Sequence, residues 1–166
     1  RHSATVTSID VRPQNLARAM LRANLLGLSN INFKLAHVDY LGQITTDILV
    51  HIGVLYHLYD PVDHLQRLLR TTTAKVLCLD THINFPNLDQ QTLVHNGYTY
   101  RYGVYKEFGW GAELSGVEPL SKWLELDDLL KIVGEADFVV RSVERMEYPV
   151  GPRVTIVADR FKNIAD

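Results

Sequence analysis

The chain has 166 residues, 46% hydrophobic and 22% charged, with a formal net charge of −2, which suits one globular domain with its own core and excludes a fibrous or disordered protein. The single Cys78 lies in an apolar run and reads as a buried thiol in a reducing compartment, so a disulfide scaffold is excluded too. No basic block offers DNA an electrostatic footprint, and no apolar stretch approaches the ~20 residues of a membrane span or forms a signal peptide, so the expectation is a soluble cytoplasmic protein without membrane or DNA partners.

Ala4 to Ile9 is apolar and β-branched and predicts a strand ending at Asp10. Pro13 suits a first helical turn, Leu16, Ala19, Met20, Ala23 and Leu26 follow at helical spacing, and Gly27 is a natural stop. Ile31 to Ala36 predicts a second strand, trailed by His37, Val38 and Asp39, and the connection after it is too short for a long helix. Asp47 to Gly53 is a third strand, apolar enough to be buried on both faces. A helix follows from about Asp60, capped by that residue, with Pro61 in its first turn and Val62, Leu65, Leu68 and Leu69 on one side. Lys75 to Leu79 is the next strand, extending toward Thr81.

Ile83 to Pro119 lacks a sustained period and is too long for an ordinary connection; its aromatics argue against disorder, so it reads as a partly structured lid. Lys122 and Trp123 would open the helix that follows, whose periodicity runs from Leu126 to Ala136. Phe138 to Val143 and Arg153 to Ala158 are two strands joined around Tyr148 to Gly151, an antiparallel pair. The expected organisation is one domain over residues 1–166 with an insertion at about 83–120. Strand–helix alternation makes it α/β with a largely parallel sheet.

Such sheets bind ligands at the carboxyl ends of their strands. Asp10 stands there, able to accept hydrogen bonds from both hydroxyls of a ribose or merely to cap a helix. Asp39 could accept from the amine of an adenine while Val38 packs on the ring, or be a solvated loop residue. His51, Ile52 and Gly53 end a buried strand and would line the floor of a cleft, with Tyr56 and His57 beyond them. His57 is a candidate general base or a hydrogen-bonding elbow residue. A metal at His57, Asp60, Asp63 and His64 is disfavoured because a helix points Asp63 away from Asp60 and His64. In the lid, Arg101 and Tyr105, and after it Lys122 and Trp123, could stack on a substrate and pair with an anion, or simply pack.

The segments from Ile9 to Ala19, Gly27 to Ile31, Val38-Asp39 and above all Gly53-Val-Leu-Tyr-His-Leu-Tyr-Asp-Pro61 resemble, in order and spacing, class I S-adenosylmethionine-dependent methyltransferases. The Gly53 to Pro61 stretch is similar to bacterial enzymes related to the wobble-uridine tRNA methyltransferases. The resemblance implies a Rossmann-like three-layer sandwich whose mostly parallel sheet ends in an antiparallel hairpin. It also implies S-adenosyl-L-methionine as cofactor, with Asp10 and Val11 at the ribose, Val38 and Asp39 at the adenine, and His51, Ile52 and Gly53 as the cofactor wall. The family's glycine-rich loop has no counterpart before Asp10, so the first strand and helix are expected to be missing and the chain to be a fragment. The acceptor expected is a small molecule, a glycan or tRNA, methylated on oxygen or nitrogen. Other readings are a catalytically degenerate binding module and a nicotinamide-dependent dehydrogenase, which also places an acid after its second strand.

Overall fold

The computed structural model describes residues 4–161. They form two compact units, one ending at Gly42 and the other beginning at Gln43.

In the first unit, β1 (Val6–Asp10) and β2 (Ile31–Leu35) pair in parallel, joined by α1 (Pro13–Leu25). Pro13 opens the helix, where its missing N–H costs nothing, and Gly27 ends it at φ +65°. Only Leu16 and Ala23 of the expected apolar stripe are buried; Met20 and Leu26 are exposed. A single turn at Val38–Tyr40 follows β2, the short connection expected.

The second unit is built on a mixed sheet in the order β3 (Ile48–Ile52), β4 (Val76–His82), β9 (Gly151–Arg160), β8 (Phe138–Tyr148). β3 and β4 are parallel, while β9 runs antiparallel to both its neighbours, so the C-terminal hairpin is present and the sheet is less parallel than expected. α2 (Pro61–Thr71) begins as its sequence dictates: Asp60 accepts a hydrogen bond from Asp63 N at 3.0 Å. α2 and α3 (Leu126–Glu135) bury Leu65, Leu69, Leu129 and Ile132 with Leu77, Leu79 and Ile156 of the sheet.

β3 corrects one expectation. Leu49 and His51 face the core, but Ile48, Val50 and Ile52 are 51–59% exposed, so the strand is buried on one face only. Its apolar run reflects two faces that both suit burial, of which the described residues cover one.

The segment expected to be a partly structured lid carries strands of a three-stranded sheet. β5 (Asp89–His95), β6 (Tyr98–Lys106) and β7 (Leu120–Leu124) are antiparallel neighbours. Asn96 (φ +50°) and Gly97 (φ +77°) make the two-residue turn between β5 and β6, a conformation these two residue types adopt at least cost. Lys122 and Trp123 consequently lie on a strand and do not open a helix.

Candidate active site

The carboxyl end of β3 runs into Gly53, at φ +67°, where a side chain would strain the backbone and meet Arg153 at 3.5 Å. A tight turn at Leu55–His57 then presents Tyr56 and His57. Leu55 is buried as its anchor.

His57 meets Glu107, which follows directly after β6. Its Nδ1 lies 2.7 Å from Oε1 and 2.9 Å from Oε2. An ionised carboxylate only accepts, so Nδ1 carries the hydrogen and Nε2 is left with its lone pair when the ring is neutral. Glu107 also accepts from Gly116 N. Burial by itself would raise the Glu107 carboxyl; hydrogen bonds from His57, Gly116 and Ser121, with the charge of His57, outweigh it and hold the group below its ordinary value. Trp123 Nε1 donates to the same Ser121 hydroxyl at 3.1 Å. The histidine side chain keeps 15% of its surface exposed and the glutamate 5%, so the ring is reachable and its partner is sealed.

Around this pair stands an aromatic wall. His82 stacks on Trp123 at 4.3 Å, and Tyr105 stacks on Trp123 at 4.7 Å. The Tyr56 ring lies 4.0 Å from His57 and meets His82 edge-on at 4.8 Å. Burial raises the Tyr56 phenol above its ordinary value, against the opposing pull of Arg153. Arg153 pairs with Asp80, which also accepts from Thr155 Oγ1 at 2.8 Å.

The structure therefore gathers Tyr56, His57, Tyr105 and Trp123. Trp123, 1% exposed, is a structural plate within the wall. Lys122 sits over the Tyr59 ring at 4.5 Å. Arg101 is drawn instead to α3, where Asp128 accepts from its main-chain N at 2.7 Å. His51 turns into the core, its Nε2 3.1 Å from Nε2 of His64, and its Nδ1 finds no partner beyond its own main chain. Burial first, then the neighbouring His64, lowers the His51 imidazole from 6.5 to about 3, so it is neutral.

In the first unit, Asp10 Oδ1 accepts from Arg12 N at 2.7 Å and Oδ2 from Asn15 Nδ2 at 3.2 Å. Each oxygen keeps a further lone pair, so the carboxylate is oriented without being used up. Val11 and Val38 are half-buried, and Asp39 N donates to His37 Nδ1 at 3.2 Å.

Glu107, His82, Ser121, Asp80 and Arg153 were not singled out in the sequence. Glu107 lies 50 residues from His57 with no pattern linking them. A separate open groove of about 510 Å³ is lined by Asn84, Phe85, Pro86, Gln90, Glu125 and Arg145 and contains none of the candidate site residues.

No family model and no curated protein matches the chain. Solved structures do. The N-terminal domain of EvdMO1 with S-adenosylhomocysteine bound superposes with a TM-score of 0.76 at 19% identity, over 97% of this chain and 67% of that one. A second structure of that domain, in the presence of S-adenosylhomocysteine and D-fucose, gives the same score. The magnesium protoporphyrin IX methyltransferase ChlM of Synechocystis PCC 6803, with bound S-adenosylmethionine, gives 0.63 at 15% identity, over 95% of this chain and 60% of that one. The 1,6-didemethyltoxoflavin-N1-methyltransferase of Burkholderia thailandensis gives 0.61 at 14% identity, over 94% of this chain and 61% of that one. The fold is a methyltransferase fold. This chain spans about two thirds of the length of these methyltransferase-fold neighbours or somewhat less.

No helix among the described residues is long and apolar enough to cross a membrane.

Proposed function

We propose that the chain is the greater part of an S-adenosylmethionine-dependent methyltransferase acting on an oxygen or nitrogen nucleophile. The observation that supports this reading best is the fold, shared over nearly the whole chain with methyltransferases crystallised with S-adenosylmethionine or S-adenosylhomocysteine. The residues fit the cofactor. Asp10 keeps lone pairs for two ribose hydroxyls, with Val11 beside it, and Val38 and Asp39 follow β2 for the adenine. Gly53 offers bare main chain at the end of β3, alongside Ile52 and the main chain of His51. When bound, the cofactor supplies an electrophilic methyl group.

The protein's part in catalysis is then positioning and proton handling. His57, fixed by Glu107, takes the proton that the acceptor gives up. Tyr56 and Tyr105 hold the acceptor against the wall backed by Trp123, and Lys122 offers charge at the rim. We read the acceptor as a small molecule or glycan, in keeping with the D-fucose present with the EvdMO1 domain, and tRNA of the wobble-uridine kind as the alternative.

The test is calorimetry with S-adenosylhomocysteine on the full-length protein. Binding is expected, weakened roughly tenfold or more by Asp10→Ala. No binding, or an unchanged affinity in the variant, overturns the assignment.

A further inference from the structure

We infer that Glu107 is the positioning residue of a His57–Glu107 general-base pair and that the group methylated is a hydroxyl. The inference rests on the methyltransferase reading above and narrows its acceptor.

The geometry comes first. Glu107 is sealed, and its two oxygens face His57 Nδ1 and Gly116 N, with the Ser121 hydroxyl completing its set. Gly116 approaches so closely that a Cβ there would lie 2.9 Å from both His57 Cβ and His57 O. The loop before β7 thus clamps both members of the pair. The groups facing His57 are Glu107, the Tyr56 ring, His82 and the Gly116 main chain. Only Glu107 among them carries a negative charge in the neutral range. It fixes which nitrogen is protonated and stabilises the imidazolium once a second proton arrives. The exposed part of the ring is left to meet the acceptor with a lone pair.

Chemistry then separates acceptor classes. A carboxylate reaches the site already ionised and needs no base. An unprotonated amine attacks through a lone pair it already has and can lose its proton afterwards to water. A hydroxyl must shed its proton as the new bond forms, because the alternative is a positively charged oxygen. A buried carboxylate with both oxygens within hydrogen-bond reach of one imidazole nitrogen fits the third case. In the balanced step, the acceptor oxygen bonds to the methyl carbon as the carbon–sulfur bond breaks, and the electron pair of that bond stays on sulfur, leaving a neutral thioether. The hydroxyl proton passes to His57 Nε2 and from there to water.

The experiment combines two readouts on the full-length protein. Long-range nitrogen-15 NMR of the imidazoles should show His57 as the Nδ1–H tautomer, with that preference lost in Glu107→Ala, which removes the acceptor at Nδ1. An Nε2–H tautomer in the wild type, or a tautomer preference unchanged in the variant, overturns the pairing. Labelled S-adenosylmethionine is then offered to D-fucose, as a hydroxyl-only sugar, and to D-galactosamine, which adds an amine. Label on oxygen, reduced about 100-fold or more in both His57→Gln and Glu107→Gln while the variants still bind S-adenosylhomocysteine, supports the inference. Label on the amine at a rate unaffected by Glu107→Gln overturns it. Absence of S-adenosylhomocysteine binding in the wild type would instead sink the methyltransferase reading and the acceptor with it, and the tautomer measurement would still report on the pair.

Discussion

Two histidines six residues apart in sequence, His51 and His57, behave oppositely. His51 and His64 face each other between β3 and α2, sealed from water. Desolvation dominates there, and both proton acceptance and ligand access are suppressed. His57 stands six residues further along, partly exposed and against an ionised glutamate. Glu107 fixes the hydrogen on its Nδ1 and leaves Nε2 to accept a proton. Residue type was the same in both places, and the partner decided which ring packs and which can react.

Three measurements would break or sharpen that contrast. The largest effect is expected for His57→Ala, which should lower kcat by about 10²- to 10⁴-fold with little change in S-adenosylhomocysteine affinity, since it removes a proton acceptor and no cofactor contact. A loss confined to affinity would mean that the ring binds and does not react.

Second is the acid limb of stability. His51 is neutral when folded and has an ordinary value of 6.5 when unfolded, so the unfolded state takes up the extra proton. Stability conferred by neutral His51 is therefore complete above pH 6.5 and is lost as pH falls from there toward about 3. The slope expected is about 1.4 kcal/mol per pH unit, read from denaturant midpoints across that range. His82, also lowered by burial, acts in the same direction. Replacing the pair by His51→Leu with His64→Leu should flatten this limb, and a limb of unchanged slope would show that other groups set it.

Smallest is Gly116→Ala. The added methyl meets His57 Cβ and O, so the loop or the elbow must give, costing about 1–3 kcal/mol of stability and displacing the base from its partner. A variant with wild-type stability and turnover would show the clamp to be soft.

Legibility differed sharply between segments. Asp60-Pro61 announced α2 and Pro13 announced α1, because caps and first turns are decided by a few local atoms. The β5–β6 hairpin carried its own signal too, Asn96-Gly97 followed by the alternating run from Tyr98 to Tyr102, which the expectation of a partly structured lid left unused. β3 was legible as a strand yet not in its burial, since an apolar residue at each position is compatible with one covered face or two.

The sequence by itself determined the strand–helix alternation, the capped starts of the helices, the acid at the end of β1 and the position of His57 on a turn after β3. Each is a local matter of backbone preference and spacing. Only the tertiary structure decided that His51 turns inward, that Arg101 is drawn to Asp128, and that His57 receives Glu107 from 50 residues away. These are choices of partner. They depend on which strands pair in which register and on the close approach of Gly116, and contacts of that kind leave no periodic trace along a single chain.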